Sequence, residues 1–312
     1  MPEGIGVVDR LIGSRQRLAD MPPLIITCAT TGGFTQADNP NLPQTAEDQA
    51  ETAAQVQDVG AAIIHIHGRR ADDPTEPSND ADQYGIINAA IRAKAPDIII
   101  DNTQTIAELE TDEGILGGSL HYYKSAPMYA SPEIMSLNPG PMTFRGGAGR
   151  KSTAYVATFD TTLRAAVEFR ERGVKPQIFL YHPGHLDLLA YLLQHDALEA
   201  PYFVQLVFGQ QSGIPCTPDS VLFMVRNLPA NTIFQTCALE LDELEVNLMS
   251  ILLGGHVRTG MEDGVLYRRD DPATGNRQFV ERIVRIATDI GRRVATPAEA
   301  RQMLGLGAPT TY

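Results

Sequence analysis

The chain has 312 residues, 43% of them hydrophobic, and a formal net charge of -13. That length and apolar content suffice for one large domain, since α/β barrels routinely exceed the usual domain size. The acidic balance argues against nucleic acid or an anionic membrane as the main partner.

In chain order, Pro23 to Thr30 reads as the first β-strand and runs into the small residues Thr31-Gly32-Gly33. Thr45, followed by Glu47 and Asp48, opens a helix that Gly60 closes. Ala61 to Ile66 is a short, β-branched second strand that delivers His65, His67 and then Arg69. Asp97 to Thr103 ends in Asp101-Asn102-Thr103, and Ile134 to Asn138 ends in Ser136-Leu137-Asn138. Gly114 to Glu133 and Gly140 to Tyr155 read as long connections of a length often tied to function. Within the second, Arg145 to Lys151 is basic and glycine-rich, a surface loop or an anion clamp for a phosphorylated ligand.

Asp160 to Arg172 is helical with Gly173 behind it, and Gln177 to Tyr181 is the fifth strand, leading into His182-Pro183-Gly184-His185. Tyr202 to Phe208 and Thr232 to Ala238 are the sixth and seventh strands, and Thr217-Pro218 starts the helix between them. Glu240 to Leu253 is helical, His256 to Gly260 is the eighth strand, and Met261-Glu262-Asp263 follows it. Asn276 to Ile290 and a short segment capped by Thr296 complete the helices.

Eight strand–helix alternations in this length predict an α/β fold of the (β/α)8 TIM-barrel type, a single domain over residues 1–312 with 1–22 as an N-terminal extension. The rival, a doubly wound sheet, lacks its GxGxxG turn after the first strand. Cys28, Cys216 and Cys237 form no CxxC pair and fit buried thiols in a reducing compartment. Neither a signal peptide nor a run of 18 apolar residues is present, so a cytoplasmic protein without a membrane partner is expected.

Side chains alternate along a strand, so His65 and His67 project from one face and can share a metal ion. One such histidine would usually be a core residue with a satisfied hydrogen bond. Catalytic groups of a (β/α)8 barrel sit at the C-terminal strand ends, and catalytic zinc often has two His, one carboxylate and an open position. Glu262 is the leading third ligand. Arg258 and Asp263 would flank the metal as a fixed cation and a candidate general base.

The segments P-L-I-I-T-C-A-T-T-G, N-P-N-L-P-x-T, I-I-H-I-H-x-R, S-L-N-P-G and G-G-H-V-R-T-G-M-E-D together resemble the β-keto acid cleavage enzymes, whose type member is the 3-keto-5-aminohexanoate cleavage enzyme. The resemblance runs from about Pro23 to Leu304. It implies a zinc-bearing barrel, usually a homo-oligomer with a tetramer favoured. The reaction it implies condenses a β-keto acid with acetyl-CoA and then cleaves the adduct to acetoacetyl-CoA and a shortened CoA ester. Carried over, His65, His67 and Glu262 look like the Zn2+ ligands and Arg258 and Asp263 the catalytic Arg and Asp. Thr103 stands where a Ser is often found, as a third catalytic candidate. Ser136 replaces a Thr, and with Asn138, Arg69, Phe34, Phe179 and His182 it makes up the expected substrate-binding set.

Two departures bear on substrate. The type enzyme carries an acid in T-G-x-E where this chain has Phe34, and a Glu on the fifth strand where this chain has Phe179. Losing both acids removes the partners of a substrate ammonium and predicts a neutral β-keto acid, with His182 or His185 meeting a polar substituent. Gly209 to Gly213 and Ala238 to Asp242 also depart from the family's usual turns. A metal-dependent hydrolase on the same barrel, with His182 and His185 as further ligands or base, is the alternative. A ligand-binding barrel with a degenerate site is the third.

Overall fold

The computed structural model describes residues 20–104, 107–110, 115–118, 130–144 and 152–312. The expected anion clamp at 145–151 and nearly all of the N-terminal extension lie outside the described residues. Eight parallel strands close into a barrel: β1 (Ile26–Ala29), β2 (Ile63–Ile66), β3 (Ile99–Asn102), β6 (Ile134–Leu137), β9 (Lys175–Leu180), β10 (Tyr202–Phe208), β11 (Thr232–Ala238) and β12 (His256–Thr259). β12 pairs with β1 to complete the ring, so the eight predicted strands are the eight barrel strands. Among the described residues no helix is long and apolar enough to cross a membrane.

The helices form where capping and amphipathic spacing place them. α1 (Ala46–Asp58) begins at a reciprocal capping box in which Thr45 accepts from the Asp48 amide and Asp48 accepts from that of Thr45. α2 (Ala81–Lys94) is capped by Asp80 and α3 (Phe159–Glu171) by Thr158. α4 (His185–Gln194) has no side-chain cap. α5 (Pro218–Arg226), α6 (Glu243–Leu252), α7 (Asn276–Asp289) and α8 (Pro297–Leu304) follow.

The barrel interior is layered. At the N-terminal end Ile25, Ile63, Ile99, Ile134 and Phe203 form an apolar plug with Ala300 and Leu304 of α8. One layer above, Thr27 Oγ1 donates to Gln235 Oε1 at 2.8 Å and Gln235 Nε2 donates to Gln205 Oε1 at 2.6 Å. All three side chains are buried and satisfy one another there. The candidate functional residues lie above this polar floor, at the C-terminal strand ends.

The long connections hold structure that the sequence did not reveal. β4 (Ala107–Glu110), β5 (Ile115–Gly118), β7 (Met142–Phe144) and β8 (Thr153–Val156) make a separate four-stranded sheet, in the order β4-β5-β8-β7. None of these strands sits in a continuous β-branched apolar run like those of the barrel. The β5–β8 pair joins segments far apart in the chain and is defined only by tertiary contact. A hairpin of β13 (Leu266–Arg268) and β14 (Asp271–Pro272) follows the β12 loop.

Candidate active site

β2 and the β12 loop converge on one point. His65, His67 and Glu262 each present a ligand atom within 4.8 Å of the others, and they are the one such group among the described residues. Glu262 Oε1 lies 3.0 Å from His67 Nε2 and 3.5 Å from His65 Nε2. His65 is oriented from behind: its Nδ1 meets Asp101 Oδ2 at 2.8 Å, which turns Nε2 toward the cluster. Asp101 is in register with His65 on the neighbouring strand. It lay in the predicted third strand, but only the pairing of β2 with β3 reveals its partner.

Backbone geometry brings Glu262 in. Gly260 adopts φ +139 and lies so close to the Ala29 carbonyl that a Cβ could not fit. At Gly32, a Cβ would run into the Glu262 Cγ. Asn276, the first residue of α7, ties the two loops together. Its Oδ1 accepts from the Met261 amide at 2.9 Å and its Nδ2 donates to the Thr30 carbonyl at 3.1 Å.

The donor set fits a divalent ion. Two imidazole Nε2 atoms and a carboxylate suit such a metal, and Glu262 Oε2 is shielded from solvent without a protein partner. Burial alone would lower the pKa of His65, but the Glu262 and Asp101 carboxylates outweigh it and lift it to about 9. Burial lowers that of His67. Burial also works against ionised Glu262, yet Arg258 and the two histidines hold its carboxyl well below the usual range. Replacing Asp101 by Asn should weaken metal binding about 10- to 100-fold, as loss of a ligand-orienting partner does. Metal titration of the two proteins checks this, and equal affinities would count against an orienting role.

Arg258 joins the cluster to Asp263. Its Nε donates to Asp263 Oδ2 at 3.0 Å and its Nη2 to Asp263 Oδ1 at 2.8 Å, while Nη2 also reaches Glu262 Oε1 at 2.6 Å. Burial opposes the charge on Arg258, but Asp263 and Glu262 hold the guanidinium firmly protonated. Its Nη1 is buried without a protein partner. Cys237 on β11 donates its thiol to Asp263 Oδ1 at 3.3 Å. Phe179 stands opposite, its ring centroid 6.4 Å from that of His65 and 5.9 Å from the Arg258 guanidinium carbon.

A second network occupies the ends of β3 and β6. Thr103 is buried beside it, its amide bonded to the Ile66 carbonyl at 3.0 Å. Ser136 Oγ accepts from the Gln104 amide at 2.6 Å, and the Asn138 amide donates to Gln104 Oε1. Tyr155 of β8 donates to the Asn138 carbonyl at 2.9 Å, and Tyr181 donates to Asn138 Oδ1 at 2.8 Å. Gln104, Tyr155 and Tyr181 were not singled out in the sequence, and Tyr155 enters the site only through the sheet formed by the long connections.

Three predicted substrate-binding residues have other engagements. Arg69 donates to the carbonyls of Gly32 at 2.7 Å, Phe34 at 2.8 Å and Thr75 at 3.1 Å, so its guanidinium buttresses the β1 loop. The Phe34 ring packs against the cluster of Leu42, Met261, Ala273 and Phe279, leaving Phe179 as the phenyl ring beside His65. His182 accepts from the Gly184 amide at 3.1 Å and lies 3.8 Å, ring to ring, from His185. Burial and the neighbouring His182 push the pKa of His185 down to about 3. These two imidazoles are outside the metal cluster, which removes the feature that favoured a hydrolase.

The family model for beta-keto acid cleavage enzyme matches residues 23–306. The chain is 33% identical over 287 residues to a 3-keto-5-aminohexanoate cleavage enzyme of Acetoanaerobium sticklandii, covering 92% of this chain and 99% of that protein. A 3-oxoadipate:acetyl-CoA acetyltransferase of Cupriavidus necator is 28% identical, over 91% of this chain and 95% of that one. A 3-dehydrocarnitine:acetyl-CoA trimethylamine transferase of Rhizobium meliloti is 29% identical, with 91% and 96% covered. Among solved structures, apo ObcA superposes with a TM-score of 0.67 at 19% identity, covering 86% of this chain and 66% of ObcA, a likeness of fold.

Proposed function

Since the chain belongs to the β-keto acid cleavage enzyme family and is an acyl-transferring carbon–carbon cleavage enzyme, we propose that it acts on a neutral β-keto acid with acetyl-CoA as co-substrate. Zn2+ held by His65, His67 and Glu262 is the cofactor of this reading, and the working form is a cytoplasmic homo-oligomer. The observation that carries it is the junction of the His65–His67–Glu262 cluster with the Arg258–Asp263 pair.

When bound, the divalent ion supplies Lewis acidity to the keto carbonyl. Asp263 takes the proton from C2 of the β-keto acid, and Arg258, held by Asp263 and Glu262, offers its unspent Nη1 to the substrate carboxylate or the developing oxyanion. The C2 carbanion attacks the acetyl thioester and CoA thiolate leaves. The thiolate then attacks the former keto carbon, the C2–C3 bond breaks, and the electron pair and a proton return to C2. One CoA enters and one leaves, so only one product is a thioester. The products are acetoacetate and a shortened acyl-CoA, which replaces the pair of CoA esters expected from the sequence.

Phe179 supports the neutral substrate. An ammonium desolvated against its ring, without a counter-charge, would lose several kcal/mol, on the order of the cost of an unpaired buried charge. Purified protein with metal, incubated with 3-oxohexanoate or 3-keto-5-aminohexanoate, should form acetoacetate and acyl-CoA only when acetyl-CoA is added. The neutral acid should be preferred. Turnover without acetyl-CoA would shift the reading to a hydrolase, and equal use of the two acids would remove the neutral preference.

A further inference from the structure

Resting on the acyl-transfer reading above, we propose that the β9–β10–β11 side of the barrel mouth is a specificity wall for β-keto acids with a plain hydrocarbon tail. Val207 and Cys237 set this selection together with Phe179. The three residues sit two positions beyond Gln177, Gln205 and Gln235 on their strands, so they share the inward face one layer higher. All three are buried and form one contact cluster, with Tyr181 packed against it.

This wall faces the polar half of the site. Phe179 lies beside His65 and Arg258, and Cys237 touches Asp263. The mouth is therefore two-sided: charged and metal-ligating groups on β2 and β12, and hydrocarbon on β9 to β11. A β-keto acid with an alkyl tail has the same division, a polar 3-oxo carboxylate at one end and methylenes at the other.

The polar groups in the wall's own layer are already engaged. The Cys237 thiol is donated to Asp263 and the Tyr181 hydroxyl to Asn138. Gln205 and Gln235 are closed on each other and Thr27 in the layer below, and Gln177, whose amide atoms have no protein partner, is fully buried one layer below Phe179. A hydroxyl, amide or carboxylate on the tail would lose its water there and gain no partner from the Phe179–Val207–Cys237 layer. An apolar pocket discriminates against an added hydroxyl by about 10- to 100-fold, which sets the scale of the effect.

The test compares 3-oxohexanoate, 5-hydroxy-3-oxohexanoate and 3-oxoadipate on the metal-loaded protein. Acyl-CoA formation with acetyl-CoA gives kcat/KM, and calorimetric titration without acetyl-CoA gives Kd. By both measures the alkyl acid should lead each polar one by about tenfold or more. Val207→Ser, which offers a hydroxyl at the wall, should narrow the gap to the hydroxy acid, and Phe179→Glu should abolish the preference for the alkyl tail. Polar tails handled within about threefold of the alkyl tail would overturn the wall while leaving acyl transfer intact. No transfer from any acid, with the calorimetric ranking preserved, would overturn acyl transfer and leave the wall standing.

Discussion

Glu262→Ala should release the metal and abolish turnover. The carboxylate is the one anionic ligand of the cluster, so its loss should exceed the about 100-fold that an orienting partner contributes to metal affinity. A second effect follows from the titration of His65, which Glu262 and Asp101 raise to about 9 in the metal-free protein. An imidazole must be neutral to ligate, so a proton competes with the metal below that pH and apparent affinity climbs as pH rises toward it. Removing Glu262 takes away one of the two carboxylates that support the His65 proton, so the residual affinity of the variant should depend less on pH. Metal content after dialysis, together with titrations at pH 6.5 and 8.5, reads both effects. Full stoichiometry in the variant would refute the ligand set.

Arg258→Met should cost both stability and catalysis. The guanidinium is buried and bonded to two carboxylates, and removing one partner of such a pair typically costs about 3–5 kcal/mol because the other charge is stranded. Loss of the donor aimed at the developing charge should lower kcat by about 100-fold or more. Arg258→Lys separates the two effects. It keeps a charge but not the fork that engages Asp263 at two oxygens, so stability should recover more than kcat. Denaturant unfolding and steady-state kinetics on both variants distinguish these outcomes. Wild-type kcat in Arg258→Lys would show that the fork has no part in the reaction.

Much of the frame was legible because barrel strands are continuous apolar runs bounded by turn residues. Ala61 to Ile66 and Thr232 to Ala238 announce themselves in this way. The resemblance named the family, which the match over residues 23–306 shows. The His65–His67 pair was readable from strand alternation alone, and Glu262 from its place beyond the last strand. What stayed hidden depends on register and on contacts between distant segments. Asp101 becomes the partner of His65 only when β2 and β3 align, and Asn276 joins the site only when α7 meets the β1 and β12 loops. Tyr155 arrives on a strand that lies outside any continuous apolar run. Arg69 and Phe34 show the opposite failure: both are near the site in sequence, and loop contacts turn them elsewhere.

Gly32 and Gly260 divide the mouth into a part that can change and a part that cannot. Neither position has room for even a methyl group, the first because of the Glu262 side chain and the second because of the Ala29 carbonyl. A side chain gained at Gly32 would displace the candidate ligand Glu262, and one at Gly260 would displace the Ala29 carbonyl that accepts from the Glu262 amide. Phe179 and Val207 on the far strands meet the opposite half through packing, while Cys237 also donates to Asp263. New substrate preferences on this scaffold should therefore arise first by exchange on β9 and β10, with the facing half held constant by backbone crowding.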